Sequence, residues 1–284
     1  MKFSGRQGKI MTGRYSRIAW ACFIGILALV AIAVFAPWLA PHEPGETEPI
    51  RRLSSPPGFP LGCDQAGQCV LSRLIYGTRL SLIIGFFART IAVFIGIAVG
   101  ISAGYFGGWV DWVLMRIVDI FLAFPSLLLA IAVSMAIGNG LTTVILAIAI
   151  VGWAETARIL RSAALELRSA EFVLAARTMG ASDLRIMWRH ILPNCLPLIV
   201  VIFTMGMATA ILSEASLSFL GLGVDPQLPT WGGMVSTGKD YLLQYPGLSL
   251  YPGLCIAFIV VLFNVLGDEL RDIFDPGRKE QWSR

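Results

Sequence analysis

The segment from Gly233 to Lys239 has the residue types and spacing of a phosphate-binding loop, G-x4-G-K. Such a loop cradles phosphates with backbone N–H groups, needs a following Ser or Thr hydroxyl for Mg²⁺, and lies between a strand and a helix. In this sequence the next residue is Asp240, and no strand-like run precedes the glycine. We therefore predict that the segment does not bind a nucleotide.

Other patterns typical of catalytic or metal sites are also missing from the sequence. The five cysteines show no C-x-x-C spacing, and there are only two histidines. The sequence contains no H-E-x-x-H, G-x-S-x-G or dinucleotide-binding glycine pattern. We expect no metal site, no catalytic residue and no cofactor bound by this chain.

The composition is that of an integral membrane protein. Of the 284 residues, 56% are hydrophobic and 14% are charged, and the mean hydropathy is +0.73. A soluble domain has about 25% charged residues. The net charge of +4 is modest and concentrated near the ends of apolar runs, which indicates membrane topology and no nucleic-acid partner.

Apolar runs predict an all-α fold with about six transmembrane helices in the lipid bilayer. The runs are at about 18–39, 80–105, 109–137, 141–153, 196–217 and 252–266. The first run follows a basic start, which is also typical of a secretory signal. Because it exceeds the about 7–15 residues of a signal core, we interpret it as an uncleaved span.

Charged side chains inside these runs are costly unless they pair or serve a function. Arg89 is explained either by a structural ion pair or by contact with a substrate. Asp119 shares a helix face with Arg116 and can pair with it, and Pro125 should kink the same helix near a gate. Glu214 lies toward the outer end of its run, where polar loop groups or a partner subunit can contact it.

The longest charged interval between two apolar runs, residues 158–195, carries six arginines. Apolar spacing predicts a short helix at about 169–179. Gly180 then stands where a left-handed residue ends a helix. A solvated hairpin on the lipid surface is the alternative interpretation.

A second short helix is predicted at about 183–191. Ser182 is placed to cap it, and Asp183 lies at its positive end. Pro193 lacks the N–H needed to continue a helix, so we expect the chain to turn before the next apolar run.

Residues 175–193 resemble the EAA loop of ABC importer permeases, E-A-A-x3-G-x9-I-x-L-P, although Leu174 replaces Glu and His190 replaces Ile. The surrounding string EFVLAARTMGASDLRIMWRHILPN and the later string LSFLGLGVDPQLPTWGG resemble those of dipeptide, oligopeptide and nickel permeases. The resemblance implies the transmembrane domain of a type I ABC importer, of the C-type subunit, in a bacterial inner membrane. It implies that 158–195 is a cytoplasmic coupling loop.

The resemblance also implies partners and site residues. The partners are a homologous B-type permease, two ABC ATPases that hold ATP and Mg, and an extracytoplasmic solute-binding protein. The residues expected to couple to the ATPases are Glu171, Ala175, Ala176, Gly180, Ala181, Ser182, Asp183 and Pro193. Candidates for the translocation path, in the fifth run, are Thr204, Met205, Met207 and Ser213.

The implied topology divides the chain into four regions. Residues 1–40 form a cytoplasmic N-terminus and the first span, 41–79 an extracytoplasmic loop, 80–270 the permease core, and 271–284 a cytoplasmic tail. Cys63 and Cys69 would then face an oxidising compartment. Gly62 and Gly67 let the chain fold back there, so the two cysteines form either a disulfide or two partly buried free thiols.

Two other function classes are open to the sequence. A proton-coupled secondary transporter would use Glu214, Asp119 and Arg89. A membrane-embedded enzyme would need a nucleophile and a base at one depth, and the sequence shows no such pair. The expected function is passage of peptides, or a related small solute such as nickel, driven by separate ATPases.

Overall fold

A computed structural model describes residues 5–274, with side chains from residue 17 onward, and this part of the chain is almost entirely helical. In chain order the helices are α1 (Gly5–Val34), α2 (Ala36–Leu39), α3 (Val70–Phe106), α4 (Gly108–Ala123), α5 (Ser126–Ile137), α6 (Leu141–Arg168), α7 (Glu171–Thr178), α8 (Asp183–Ile186), α9 (Leu192–Phe219), α10 (Trp231–Gly238) and α11 (Gly247–Phe274). Short 3-10 helices lie at Pro49–Arg51 and Lys239–Tyr241, and a π-helix lies at Met187–Ile191. The predicted tail beyond residue 274 is outside the described residues.

Five of these helices are long and apolar enough to cross a membrane, and a sixth crossing results if α4 and α5 form one broken span. This confirms the predicted all-α membrane fold with about six spans. Helix α3 is central, because it contacts α1, α4, α6 and α9. The buried core runs along its length in several clusters.

The break between α4 and α5 is sharper than the predicted kink. The two helices meet at 92° around Pro125. Phe124 has an extended backbone, with φ −90° and ψ 140°. The cause is local, since a proline ring disfavours the helical conformation of the residue before it.

Two predicted boundaries were wrong, because helices in this protein extend beyond the membrane-like runs. Helix α3 begins at Val70, so the outer loop ends about ten residues before the predicted position 79. Helix α6 continues to Arg168, well past the predicted end near Trp153. Its polar continuation stays helical because one face is still buried, through Leu160 and Ala164.

The predicted turn at Pro193 was also wrong. Residues Asp183–Phe219 form one continuous helical span that includes the π-helix Met187–Ile191. A proline inside an α-helix removes one hydrogen bond and crowds the carbonyl four residues earlier. The wider π turn directly before Pro193 accommodates this proline without ending the helix.

Charged pairs join α4 to the second half of α6. The predicted pair of Arg116 and Asp119 is confirmed, at 3.7 Å between Nη1 and Oδ2. Arg158 also contacts Asp119, and Arg161 donates from Nη2 to Asp111 Oδ2 at 2.6 Å. The arginines of α6 therefore hold α4 and α6 together, in addition to indicating the membrane topology.

The outer loops are held against the bundle by buried polar groups. Arg73, 5% exposed, donates to the carbonyl oxygen of Pro226 at 2.9 Å and lies 3.5 Å from Asp64 Oδ2. Glu214 is fully buried and accepts a hydrogen bond from the Ser218 hydroxyl at 2.7 Å. Glu214 thus contacts a polar group near the loop. This agrees with one of the two explanations offered for this acid, contact with polar loop groups.

Cys63 and Cys69 face each other in the outer loop as an isolated antiparallel bridge. Hydrogen bonds on either side, Asp64 N to Gln68 O at 3.0 Å and Val70 N to Gly62 O at 3.1 Å, frame the pair. Both thiols are buried, and the structure has them as free cysteines.

Helices α3 and α6 approach each other through glycines spaced four residues apart. A Cβ at Gly96 would lie 2.5 Å from Thr156 Cγ2, and one at Gly104 would lie 2.6 Å from the carbonyl oxygen of Arg161. A Cβ at Gly100 would collide with the carbonyl oxygen of Ala157. This is the close approach that small residues permit between membrane helices.

We expect Gly100→Ala to destabilise the protein and Gly253→Ala to leave it unchanged or slightly more stable. Alanine favours a helix over glycine by up to about 1 kcal/mol at both positions. At Gly253 the added methyl meets open space, whereas at Gly100 it overpacks the α3–α6 contact, at a cost of about 1–3 kcal/mol. Thermal unfolding of the detergent-solubilised protein measures the difference, and equal midpoints for the two variants would contradict the close-packing role.

Candidate functional site

The charged stretch forms the predicted helix–turn–helix, and Gly180 makes the turn. Its φ is +81°, in the left-handed region that favours glycine. The Gly180 N–H donates to the carbonyl oxygen of Arg177 at 3.0 Å, and the Ala181 N–H donates to that of Ala176 at 3.1 Å. These two bonds are the Schellman pattern that ends a helix.

One face of this hairpin is packed into the bundle. Val173 of α7 and Ile186 of α8 are both fully buried. They belong to one apolar cluster with Tyr105 of α3 and Leu160 of α6. The hairpin is therefore a rigid part of the core and not a solvated loop on the lipid surface.

A hydrogen-bonded group at the C-terminal end of α3 ties the two hairpin helices together. The Tyr105 hydroxyl donates to Asp183 Oδ1 at 2.6 Å. Arg177 Nη2 in turn donates to the Tyr105 oxygen at 3.1 Å, and its guanidinium lies over the tyrosine ring. No sequence pattern indicated the role of Tyr105, apart from its position at the end of an apolar run.

The opposite face of the hairpin exposes large apolar side chains. Met179 is 80% exposed and Trp188 is 67% exposed. Phe172, Leu174 and Leu184 are also exposed. A rigid apolar surface of this kind is typical of a protein-binding site.

The structure places the predicted coupling residues on both faces of the hairpin. Those exposed are Glu171, Ala175, Gly180, Ser182, Asp183 and Pro193, while Ala181 is half-buried and Ala176 is buried. Ser182 does occupy the N-cap position of α8, but its hydroxyl makes no capping hydrogen bond. Ala176 is 3% exposed and packs in the apolar cluster inside the bundle.

A cleft of about 900 Å³ opens beside α6, α9 and α11. It extends from Arg89 and Gly206 in the middle of the bundle to Asn194 and Arg271 at the hairpin end. A second cleft of about 510 Å³ lies between α5, α6 and α9. The two clefts share their middle wall, which includes Glu155 and Thr209.

The four candidates for the translocation path fall into two groups. Met205 lines the first cleft, and Ser213 lines the second. Thr204 and Met207 line neither and are buried in the core. The Thr204 hydroxyl donates to the carbonyl oxygen of Val200 at 2.8 Å, and Met207 packs in the cluster around Ile211.

The three charged groups considered for a proton-coupled transporter do not contact one another. Asp119 pairs with Arg116 and Arg158, and Glu214 accepts a hydrogen bond from Ser218 near the end of α9. Arg89 makes no ion pair with any acidic side chain of the described residues, so the structural ion pair, one of its two interpretations, is not formed, although the charge of Glu155 acts on it at longer range. Arg89 lies in the wall shared by the two clefts.

The phosphate-loop pattern lies in regular structure. Gly233 to Gly238 belongs to α10, and Lys239 begins a 3-10 helix. The backbone N–H groups there serve the helix, as with Met234, which donates to the carbonyl oxygen of Thr230. In the described residues no group of three or more His, Cys, Asp and Glu side chains is placed to hold a metal.

Comparison with known families and proteins agrees with this architecture. A model of the binding-protein-dependent transport system inner membrane component matches residues 96–280, and a model of the N-terminal TM domain of oligopeptide transport permease C matches residues 14–57. The dipeptide transport system permease protein DppC of Alkalihalophilus pseudofirmus is 43% identical over 93% of this chain and 87% of the relative. The glutathione transport system permease protein GsiD of Pectobacterium atrosepticum is 40% identical over 92% of this chain and 88% of the relative.

A solved structure shares the fold. A chain of the MetNI methionine ABC transporter, in an inward-facing conformation, superposes with a TM-score of 0.59 at 21% identity, covering 72% of this chain and 96% of that chain. At this identity the likeness concerns the fold alone. The family match over residues 96–280 and the relatives at 40% and 43% identity show that this multi-pass membrane protein belongs to the binding-protein-dependent transport system inner membrane components, the permease subunits of ABC importers.

Proposed function

We propose that this chain is the C-type permease subunit of an ATP-driven importer of peptides. The observation that carries the proposal is the rigid hairpin with an exposed apolar face, which stands at the same end of the bundle as the mouth of the 900 Å³ cleft. The named relatives at 40–43% identity are dipeptide and glutathione permeases, which supports peptides as the solute class.

The exposed face of the hairpin docks on a separate ATPase, and the buried face transmits the movement. Asp183–Phe219 is one continuous helical span, so a displacement of α8 reaches the cleft wall at Gly206 without an intervening loop. The Tyr105 hydrogen bonds pass the same displacement to α3. By linkage, a loaded binding protein docked outside must in turn favour ATPase closure.

The complex contains a homologous B-type permease, two ABC ATPases and an extracytoplasmic solute-binding protein. ATP and Mg bind to the ATPases, and this chain has no catalytic role of its own. The hairpin and both chain ends face the cytoplasm, and the six arginines of the coupling stretch agree with an excess of positive charge on that side.

The transport proposal is tested with the assembled complex and its binding protein in liposomes. Uptake of radiolabelled dialanine should require ATP and should persist when a protonophore collapses the proton gradient. Uptake driven by the gradient without ATP would contradict the mechanism, and ATP-dependent transport that excludes all peptides would contradict the substrate class.

Substitution at the hairpin turn tests coupling in the same system. Valine at position 180 would have to adopt a left-handed backbone, at a cost of about 1–2 kcal/mol, which asparagine tolerates much better. We expect Gly180→Val to hydrolyse ATP with several-fold less uptake per ATP, and Gly180→Asn to stay close to the parent protein. Normal transport by a fully inserted Gly180→Val complex would contradict the role of the turn.

Crosslinking tests which face of the hairpin meets the ATPase. Cysteines introduced by Ala175→Cys and Ser182→Cys should crosslink to the ATPase subunit, because both positions are exposed. Ala176→Cys is the matched control, since that side chain is 3% exposed and should not react. Absence of crosslinks from both exposed positions to the ATPase in an active complex would refute the proposed docking surface.

We also propose that Cys63 and Cys69 join as a disulfide when the outer loop meets a thiol oxidase, which accepts the two electrons and two protons released. Directly opposed residues of a non-hydrogen-bonded antiparallel pair have Cα atoms about 4.5 Å apart, which a disulfide can span. Burial raises the pKa of the Cys63 thiol, and the neighbouring Cys69 and Asp64 add to this effect. The reduced pair would therefore react slowly with reagents in the folded protein.

Alkylation under denaturing conditions, followed by mass measurement, should modify three cysteines without reductant and five after reduction. Cys63→Ser should free Cys69 and give four in both cases. Modification of all five without reductant would show that the pair stays as thiols.

A further inference from the structure

Arg89 is a buried cation that forms no ion pair with a carboxylate among the residues described, although the charge of Glu155 acts on it from a greater distance. Arg89 lies in the middle of α3 and is 9% exposed. Nη2 donates to the carbonyl oxygen of Ile202 at 2.9 Å, and the Nε–H has no acceptor. A buried guanidinium with unused donors is costly in a membrane protein and is by default a candidate for function.

The neighbouring helices leave room for this side chain. A Cβ on Gly206 of α9 would overlap the guanidinium, and one on Gly152 of α6 would lie 3.6 Å from Nη1. The guanidinium therefore passes between two glycines, one on each helix. This arrangement keeps the charge at the centre of the bundle, whereas a free arginine would extend toward the membrane surface.

The position of Arg89 is the junction of the two clefts. Arg89, Glu155 and Thr209 line both of them. The first cleft leads to the hairpin end at Asn194, and the second leads past Ser213 of α9 in the opposite direction. A solute that moves from one cleft to the other passes the Arg89 guanidinium.

Glu155 places an opposite charge at the same junction, close enough to act electrostatically on Arg89 but not in an ion pair with it. It lies one helical turn after Gly152 on α6, which places it on the side of the helix that faces Arg89. Its side chain is exposed and makes no hydrogen bond or ion pair with the described residues. The junction therefore presents separate positive and negative groups.

We propose that Arg89 binds the free carboxylate of the transported solute and that Glu155 receives its ammonium group. A guanidinium offers a planar pair of donors that matches a carboxylate. The ligand class is a zwitterionic peptide with both termini free. This inference rests on the proposed peptide import and assigns to that function a recognition site inside the membrane domain.

The test measures occupancy of the junction directly, in the full complex of both permeases and the ATPases, in lipid nanodiscs and without the binding protein. Thr209→Cys places a reporter thiol in both clefts, and a membrane-impermeant thiol reagent measures its rate of labelling. Dialanine should slow this labelling. Its C-terminal amide and its N-acetyl derivative should do so only at concentrations at least about tenfold higher, because each leaves one buried charge unpaired.

Variants in the reporter background separate recognition from structure. Arg89→Gln should raise the dialanine concentration needed for protection by at least about tenfold and should abolish the difference between dialanine and its amide. Glu155→Gln should abolish the difference between dialanine and its N-acetyl form. Arg79→Gln is the matched control, because Arg79 lies exposed on the same helix. Dialanine should slow labelling of the reporter thiol in this variant as much as in the parent protein.

Equal protection by dialanine and its amide, unchanged protection in Arg89→Gln, or no protection at any dialanine concentration would each overturn the inference. If Thr209→Cys prevents assembly, Ser213→Cys provides the same readout from the second cleft. Peptide uptake that persists without protection at the junction would overturn only this inference. Absence of peptide uptake by the wild-type complex would instead overturn the proposed function.

Discussion

The close packing of α3 against α6 is the contact on which the other features depend. Three glycines of α3 bring the two backbones together so tightly that a single methyl group at Gly100 would meet a carbonyl oxygen. Helix α3 presents Arg89 to the clefts above this contact and Tyr105 to the hairpin below it. The spacing of the two helices therefore fixes the position of both the cleft wall and the coupling hairpin.

A displacement of the hairpin reaches the cleft only if the segment between them is stiff. A loop between α8 and α9 would absorb a displacement, because each unconstrained residue has two soft dihedral angles. The protein has instead a continuous helical span through Pro193, made possible by the π turn before it. The Schellman turn at Gly180 and the Tyr105 hydrogen bonds hold the short α7 to the same body.

Sequence patterns predicted the features that depend on local chemistry. Glycine at the turn, the short helix α7 before it, the pairing of Arg116 with Asp119 and the number of apolar spans all follow from residue types at fixed spacing. The errors arose where tertiary context overrides a local rule. Pro193 continues a helix because the preceding turn widens, and α6 extends past its apolar run because one face remains buried.

Prediction from sequence was limited in the same way for the residues that line the clefts. Thr204 and Met205 are adjacent in sequence, yet only Met205 lines a cleft, since successive residues of a helix point about 100° apart. Which face of α9 turns toward a cavity depends on how α3, α6 and α11 pack around it, and periodicity in an almost uniformly apolar run does not encode this. Tyr105 escaped notice for a related reason, because its partners Arg177 and Asp183 lie more than seventy residues away.

Magnitudes decide between a structural and a recognition role for Arg89. A charged side chain at the centre of a membrane helix costs about 2.5–3.5 kcal/mol on insertion scales. Its one hydrogen bond, to the carbonyl oxygen of Ile202, returns about 1.5–3 kcal/mol. That bond uses one N–H donor of the five that a guanidinium carries, so fastening α3 to α9 does not by itself account for an arginine at this position. Glu155 acts on the guanidinium only from beyond ion-pair distance, and the two clefts that meet at Arg89 are a route by which a carboxylate would reach it.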